Sequence, residues 1–131
     1  MTVSTELFYL ALTALLTTLI WLPYGLAMVQ QHGPMEAFGN RDHEKPLVPW
    51  AERARRAHRN AVENLAVFAS LVLIVQAVGG NNQVTAWACI IYFWMRVLHY
   101  LAYTFGLVIV RTALWTVGWV CILVLAWQVL A

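Results

Sequence analysis

The stretch RARRAHRNAVEN, Arg53 to Asn64, sets four arginines, a histidine, two asparagines and a glutamate in twelve residues. Arg53, Arg56, Asn60 and Glu63 recur at steps of three, four and three, which on a helix forms a stripe roughly 80° wide. Arg59 and Glu52 flank it. A second set, Tyr92, Arg96, His99 and Tyr103, recurs at steps of four, three and four, and Arg111 follows. Guanidinium groups hold carboxylates and phosphates through forked hydrogen bonds. Glu63 beside Asn60 suits an ammonium group, and a tyrosine hydroxyl suits a polar backbone or a developing charge. Together these side chains describe a small zwitterion with more negative than positive groups. The competing reading is an internal ion pair of Glu63 with Arg59 or Arg96. Arg59 to Glu63 is an i, i+4 pair in the less favourable order, and it would leave the other cations in surplus.

Such a cluster needs a scaffold, and the composition says which kind. Of 131 residues, 62% are hydrophobic and 11% are charged, against about 45–50% and about 25% in a soluble domain. A soluble fold of this size could not cover so much apolar surface. A membrane-spanning helix needs about 20 apolar residues, and four segments meet this, with helices expected over 5–31, 51–78, 82–105 and 107–131. The breaks are QQHGPMEAFGNRDHEKPLVPW, GGNNQ and TFG, all polar or rich in Gly and Pro. The fold class is therefore an all-α integral membrane protein, a four-transmembrane-helix bundle in a single domain over residues 1–131. The continuous apolar runs lack the alternation of a lipid-facing β-barrel. The flank MTVSTE carries no positive charge and the first apolar run exceeds signal-peptide length, so it reads as a retained helix. Pro23 within it predicts a kink that neighbouring helices can tolerate.

All eight Lys and Arg residues lie in the first loop, in the start of the second helix, or at Arg96 and Arg111. The positive-inside rule then places the first loop in the cytoplasm and both termini outside. Following the chain from there puts every intramembrane ionisable residue in the cytoplasmic leaflet. A charge at the bilayer centre costs about 2.5–3.5 kcal/mol on insertion scales, so the two stripes should face each other, a neighbouring subunit or a wet pocket. Arg55 and His58 point off the stripe and read as interfacial side chains that snorkel to headgroups. Arg41, Asp42, His43, Glu44 and Lys45 read as a solvated connector, and His32 and His43 lack metal-ligand spacing. Cys89 and Cys121 read as small packing residues. Trp50, Trp87 and Trp127 suit the membrane interfaces, while Trp21, Trp94, Trp115 and Trp119 are expected to pack.

Glutathione, with two carboxylates, one ammonium and a thiol, fits the zwitterion that these residues describe. An anionic lipid headgroup also fits, which would make this a non-catalytic membrane protein binding a lipid, or a partner helix, through the same cationic pocket. The motif ERARRAHRNAVEN resembles the second-helix signature of the MAPEG family, the membrane-associated proteins in eicosanoid and glutathione metabolism. Glu52, Arg53, Arg56, Ala57, Asn60 and Glu63 fill its pattern, and Arg59 agrees with the prostaglandin E synthase branch. RVLHYLAY resembles that branch's third helix, and Arg111–Thr112 the arginine-led start of its fourth.

The resemblance implies a homotrimer of four-helix bundles holding glutathione as co-substrate between subunits, near the cytoplasmic face. It implies a transferase or peroxidase acting on lipophilic small molecules, embedded among membrane lipids and with no nucleic-acid partner. Arg56, Asn60, Glu63 and Tyr103 would bind the tripeptide, with Arg53, Arg59, Arg96 and His99 in support. Arg111, from the adjacent subunit, would stabilise the thiolate. Two positions depart from the eicosanoid enzymes: Gln30 or Gln31 stands where they carry an arginine late in the first helix, and Trp115 stands where some carry tyrosine. The GNRDHEKP loop and the short length resemble the bacterial branch, implying the inner membrane. The orientation has its own check. A Lys45→Cys variant is expected to be shielded from a membrane-impermeant thiol reagent in intact cells, and labelling there would reverse the topology.

Overall fold

The computed structural model describes residues 2–42 and 45–131. Met1 lies outside the described residues, as do His43 and Glu44 of the expected connector. Six helices are present: α1 Thr5–Leu19, α2 Leu22–His32, α3 Pro34–Phe38, α4 Pro49–Ala77, α5 Gln83–Thr104 and α6 Val108–Leu130. With α1 and α2 continuing as one span over Thr5–His32, four are long and apolar enough to cross a membrane. α5 is central and packs on α1, α4 and α6.

Local chemistry sets the ends. The Ser4 hydroxyl accepts the Leu7 amide and caps α1. Pro49 opens α4, where a missing N–H costs nothing. The GGNNQ turn ends in a capping box: the Asn82 side chain accepts the amides of Val84 and Thr85, and the Thr85 hydroxyl accepts the Asn82 amide. α5 closes on Gly106 at φ 77°, where the Leu107 amide reaches back to Ala102 O at 2.9 Å. α4 is the longest element, at 29 residues. At 1.5 Å per residue it measures about 44 Å, against a hydrocarbon core of about 30 Å. The surplus is the charged N-terminal part. Its buried side chains are Ala51, Ala54, Ala57 and Ala61, so small residues bring this part of α4 close to its neighbours while the arginines project elsewhere.

The core is apolar and aromatic. Phe68, Val72 and Val75 of α4 pack with Cys89 and Tyr92 of α5 and Cys121, Ile122 and Leu125 of α6. Phe68 and Tyr92 stack at 3.9 Å between ring centroids. Both cysteines are buried and unpaired. Three tryptophans expected to pack inward face outward instead, with Trp21, Trp94 and Trp119 about half exposed. Glu6, in the flank MTVSTE, is held at the opposite end of the bundle. It lies in the first turn of α1, is 3% exposed and accepts a hydrogen bond from the Thr85 hydroxyl. The ionisable groups are thus not confined to the end of the bundle that holds Arg111.

The first span breaks as Pro23 requires, and its neighbours repair the break. The backbone ladder runs to Ile20 N–Leu16 O and resumes at Gly25 N–Trp21 O. Between them, the Nε2–H of His58 donates to Thr17 O at 2.9 Å and the Tyr100 hydroxyl donates to Ile20 O at 2.9 Å. In the neutral imidazole Nδ1 then accepts from the Tyr24 hydroxyl at 2.7 Å. His58 therefore clamps the kink from α4 and is not a headgroup anchor. Losing these bonds leaves carbonyls unsatisfied in an apolar setting. His58→Leu is expected to destabilise the protein by about 1–3 kcal/mol, and Tyr100→Phe by about 0.6–1.5 kcal/mol. Reversible unfolding in mixed detergent micelles measures both. A variant as stable as the parent would remove the clamp from this account.

Candidate active site

α4, α5 and α6 bring four of the predicted residues, Asn60, His99, Tyr103 and Arg111, together around an open cavity of about 300 Å³ that Thr112 and Trp115 also line. Asn60 is the join between helices. Its Oδ1 accepts from Arg96 Nη2 at 2.7 Å and from Asn64 Nδ2 at 3.3 Å, while Asn64 also donates to Asn60 O at 2.8 Å. Asn64 escaped the sequence reading, though its i+4 spacing from Asn60 was the available signal. Arg96 is 5% exposed and His99 2% exposed. Arg96 Nε and His99 Nδ1 have no hydrogen-bond partner among the described residues. Hydrogen-bonding capacity is thus held in reserve beside the cavity.

Arg111, in the first turn of α6, sets its guanidinium carbon 4.2 Å from the centre of the Tyr103 ring. This cation–π contact orients the cation without neutralising it. The ring of His99 meets Tyr103 edge-on at 5.7 Å. The Thr112 hydroxyl donates to Val108 O at 3.0 Å, which satisfies it within the helix.

The second-helix stripe divides. Arg53 Nε donates to Thr104 O at 3.0 Å, placing a cation on the C-terminal carbonyls of α5, where the helix dipole favours it. Arg53 is engaged in closing a helix. Arg56, Arg59 and Glu63 are exposed on α4, and none forms an ion pair with a described residue. The Arg59–Glu63 and Arg96–Glu63 pairs weighed from the sequence are absent among the described residues. Arg55 binds both carboxylate oxygens of Glu52, at 2.7 and 2.8 Å, rather than reaching for headgroups. Glu52 also accepts the Leu47 amide at 3.0 Å, so it secures the approach to α4. Gln31 accepts the Val48 amide at 3.2 Å and helps hold the same approach. Arg111 lines the cavity, Arg96 is bound to Asn60 on its wall, and Arg56, Arg59 and Glu63 are exposed on α4 without lining it.

One family model, the MAPEG family, matches the chain over residues 7–131. The chain belongs to the MAPEG family. The match spans all four membrane helices and every residue of the cavity. No curated protein matches the chain.

In this MAPEG protein the Arg96–Asn60 bond is the polar link between α4 and α5 at the cavity, and the two residues should be coupled. Asn60→Leu leaves a buried guanidinium without its acceptor and is expected to lower stability by about 1–3 kcal/mol. Adding Arg96→Met should recover part of that loss, since replacing both partners by apolar groups is close to neutral. A double-mutant cycle from unfolding in micelles supplies the coupling, and strictly additive losses would show that the bond carries no net stability.

Proposed function

We propose that the protein is a glutathione-dependent transferase or peroxidase of lipophilic electrophiles, working as a homotrimer in the membrane. The observation that carries this reading is the cavity itself, where the Arg111 cation stands with Asn60, His99 and Tyr103, on a bundle whose α4 exposes Arg56, Arg59 and a carboxylate, Glu63, that has no ion pair among the described residues. Glutathione brings the complementary excess, two carboxylates against one ammonium. Arg56 and Arg59 would take the carboxylates, Glu63 the ammonium, and Asn60, His99 and Tyr103 the peptide backbone, with Arg96 holding Asn60 and Arg53 holding the end of α5. Arg56, Arg59 and Glu63 lie exposed on one chain. A neighbouring subunit covering that surface would complete the site and exclude water from it. Family membership supports the same assembly. The first loop and the site would face the cytoplasm, in a bacterial inner membrane, with both termini outside.

Arg111 would act on the sulfur. A free thiol titrates at about pH 8.5 and is mostly protonated at neutral pH, whereas the thiolate is the nucleophile. A fixed cation beside it favours the anion, and each unit of pKa lowering corresponds to about 1.4 kcal/mol. The thiolate then attacks the electrophilic atom of a substrate arriving from the lipid. The exposed cations would equally suit an anionic headgroup, and thiol dependence separates the two readings. Calorimetry should detect glutathione binding at millimolar concentration or below, and no heat in that range ends the enzyme reading. Arg111→Ala should lower the neutral-pH turnover by about 100-fold while glutathione binding changes little. Its rate profile should also rise at higher pH than that of the parent, because the thiol regains a higher pKa. A profile that does not move would remove Arg111 from the sulfur.

A further inference from the structure

α6 carries a second recognition element that neither the cation cluster nor the packing of the bundle uses. Trp115 lines the cavity beside Arg111, and Trp119 lies one turn further along the same face. Their rings are parallel to within 7°, with centroids 6.2 Å apart. Phe68 and Tyr92, a stacked pair in the core, sit at 3.9 Å. The two indoles therefore share an orientation without being in tight face-to-face contact, and Trp119 remains 46% exposed. Interfacial anchoring does not account for them. Trp119 is the twelfth of the 23 residues of α6, so it sits mid-span, whereas anchoring tryptophans gather at the two membrane surfaces. Neither indole N–H bonds to a described residue, and neither is among the buried polar atoms that lack a partner, so both are open to a ligand. From Arg111 to Trp119 the helix rises about 12 Å. One helix face thus leads from the middle of the membrane to the cation.

We propose that Trp115 and Trp119 select the electrophile, a planar conjugated molecule bearing a carbonyl acceptor, such as an aryl enone. This rests on the glutathione reading above and names the substrate class for the same site. The flat molecule lies on the face of one indole, and the N–H of the other, which points in its own ring plane, donates to the carbonyl oxygen. The thiolate sulfur adds to the β carbon, forming a C–S bond as the C=C π bond breaks. The electron pair moves to the carbonyl oxygen, where the N–H meets the developing charge. The α carbon then takes up the proton that the thiol gave up, so the product is the simple adduct and no oxidant or reductant is consumed.

The test compares an aryl enone with an alkyl enone of matched hydrophobicity in reconstituted protein. The parent should favour the aryl compound in kcat/KM, and Trp119→Leu should cut that aryl-over-alkyl ratio about tenfold, chiefly through KM, in line with the loss of aromatic contacts. Trp94→Leu, an exposed indole on α5 away from the cavity, should leave the ratio intact. Calorimetry with glutathione accompanies each variant. Intact glutathione binding with a ratio that Trp119→Leu does not alter overturns the selector and leaves the enzyme reading standing. A second readout needs no turnover: a saturated aryl ketone, which cannot react, should quench indole fluorescence in the parent and quench it less in Trp119→Leu. Equal quenching in both overturns the proposal even if glutathione fails to bind.

Discussion

A guanidinium held inside an apolar bundle is the constraint on which the rest turns. Arg96 is almost fully enclosed on the central helix, and its strongest bond goes to Asn60 on α4. A cation at membrane depth is expensive, so its acceptor must arrive with little freedom. Asn64 supplies that restraint by donating to both oxygens of Asn60. The buried alanines of α4 seat its N-terminal part closely in the bundle, Ala51 against Ala27, Met28, Ala37 and Leu47. Once α4 and α5 are fixed in this register, His99 and Tyr103 follow at helical spacing, and the short Gly106 turn delivers Arg111 onto the Tyr103 ring. One costly polar contact thereby determines where the cavity opens.

The break in the first span shows the same economy of polar groups. Pro23 removes a donor, and carbonyls of the broken turn find theirs on two other helices, through His58 and Tyr100. At the other end of the bundle, the buried carboxylate of Glu6 meets Thr85, the residue that also completes the α5 capping box. Asn82 of that box reaches Gln128 of α6 at 2.8 Å. In a setting where water cannot satisfy backbone and side-chain groups, each helix end or defect has become a contact between elements.

The parts legible in the sequence are those encoded locally. Hydropathy marks the spans because any 20 apolar residues in a row meet the same solvent requirement. The GGNNQ turn names its own cap. The stripes on α4 and α5 follow from helical periodicity, so the neighbourhood of Asn60, His99, Tyr103 and Arg111 could be anticipated. Partner choice was not legible, because it belongs to tertiary geometry. His58 has the composition of an interfacial residue, and only the nearby broken turn makes it a clamp. Tyr100 carries no sequence signal that separates it from the other tyrosines. Arg53 belongs to the stripe by spacing, yet the α5 terminus claims it. Glu52 and Arg55 stand three residues apart, and that local pair was open to a sequence reading that looked instead to the headgroups.

The length of α4 has a consequence of its own. About 14 Å of continuous helix exceeds the hydrocarbon thickness, and this overhang is rigid because its alanine face is packed and both Glu52 and Gln31 secure its start. Spanning a bilayer, such a rod would present a guanidinium-studded segment to the aqueous side and a greasy one to the lipid. Molecules that dissolve in only one of these phases can each meet the same rod without leaving their own medium. The distance between the two phases, ordinarily a barrier to encounter, is here spanned by a few turns of one helix.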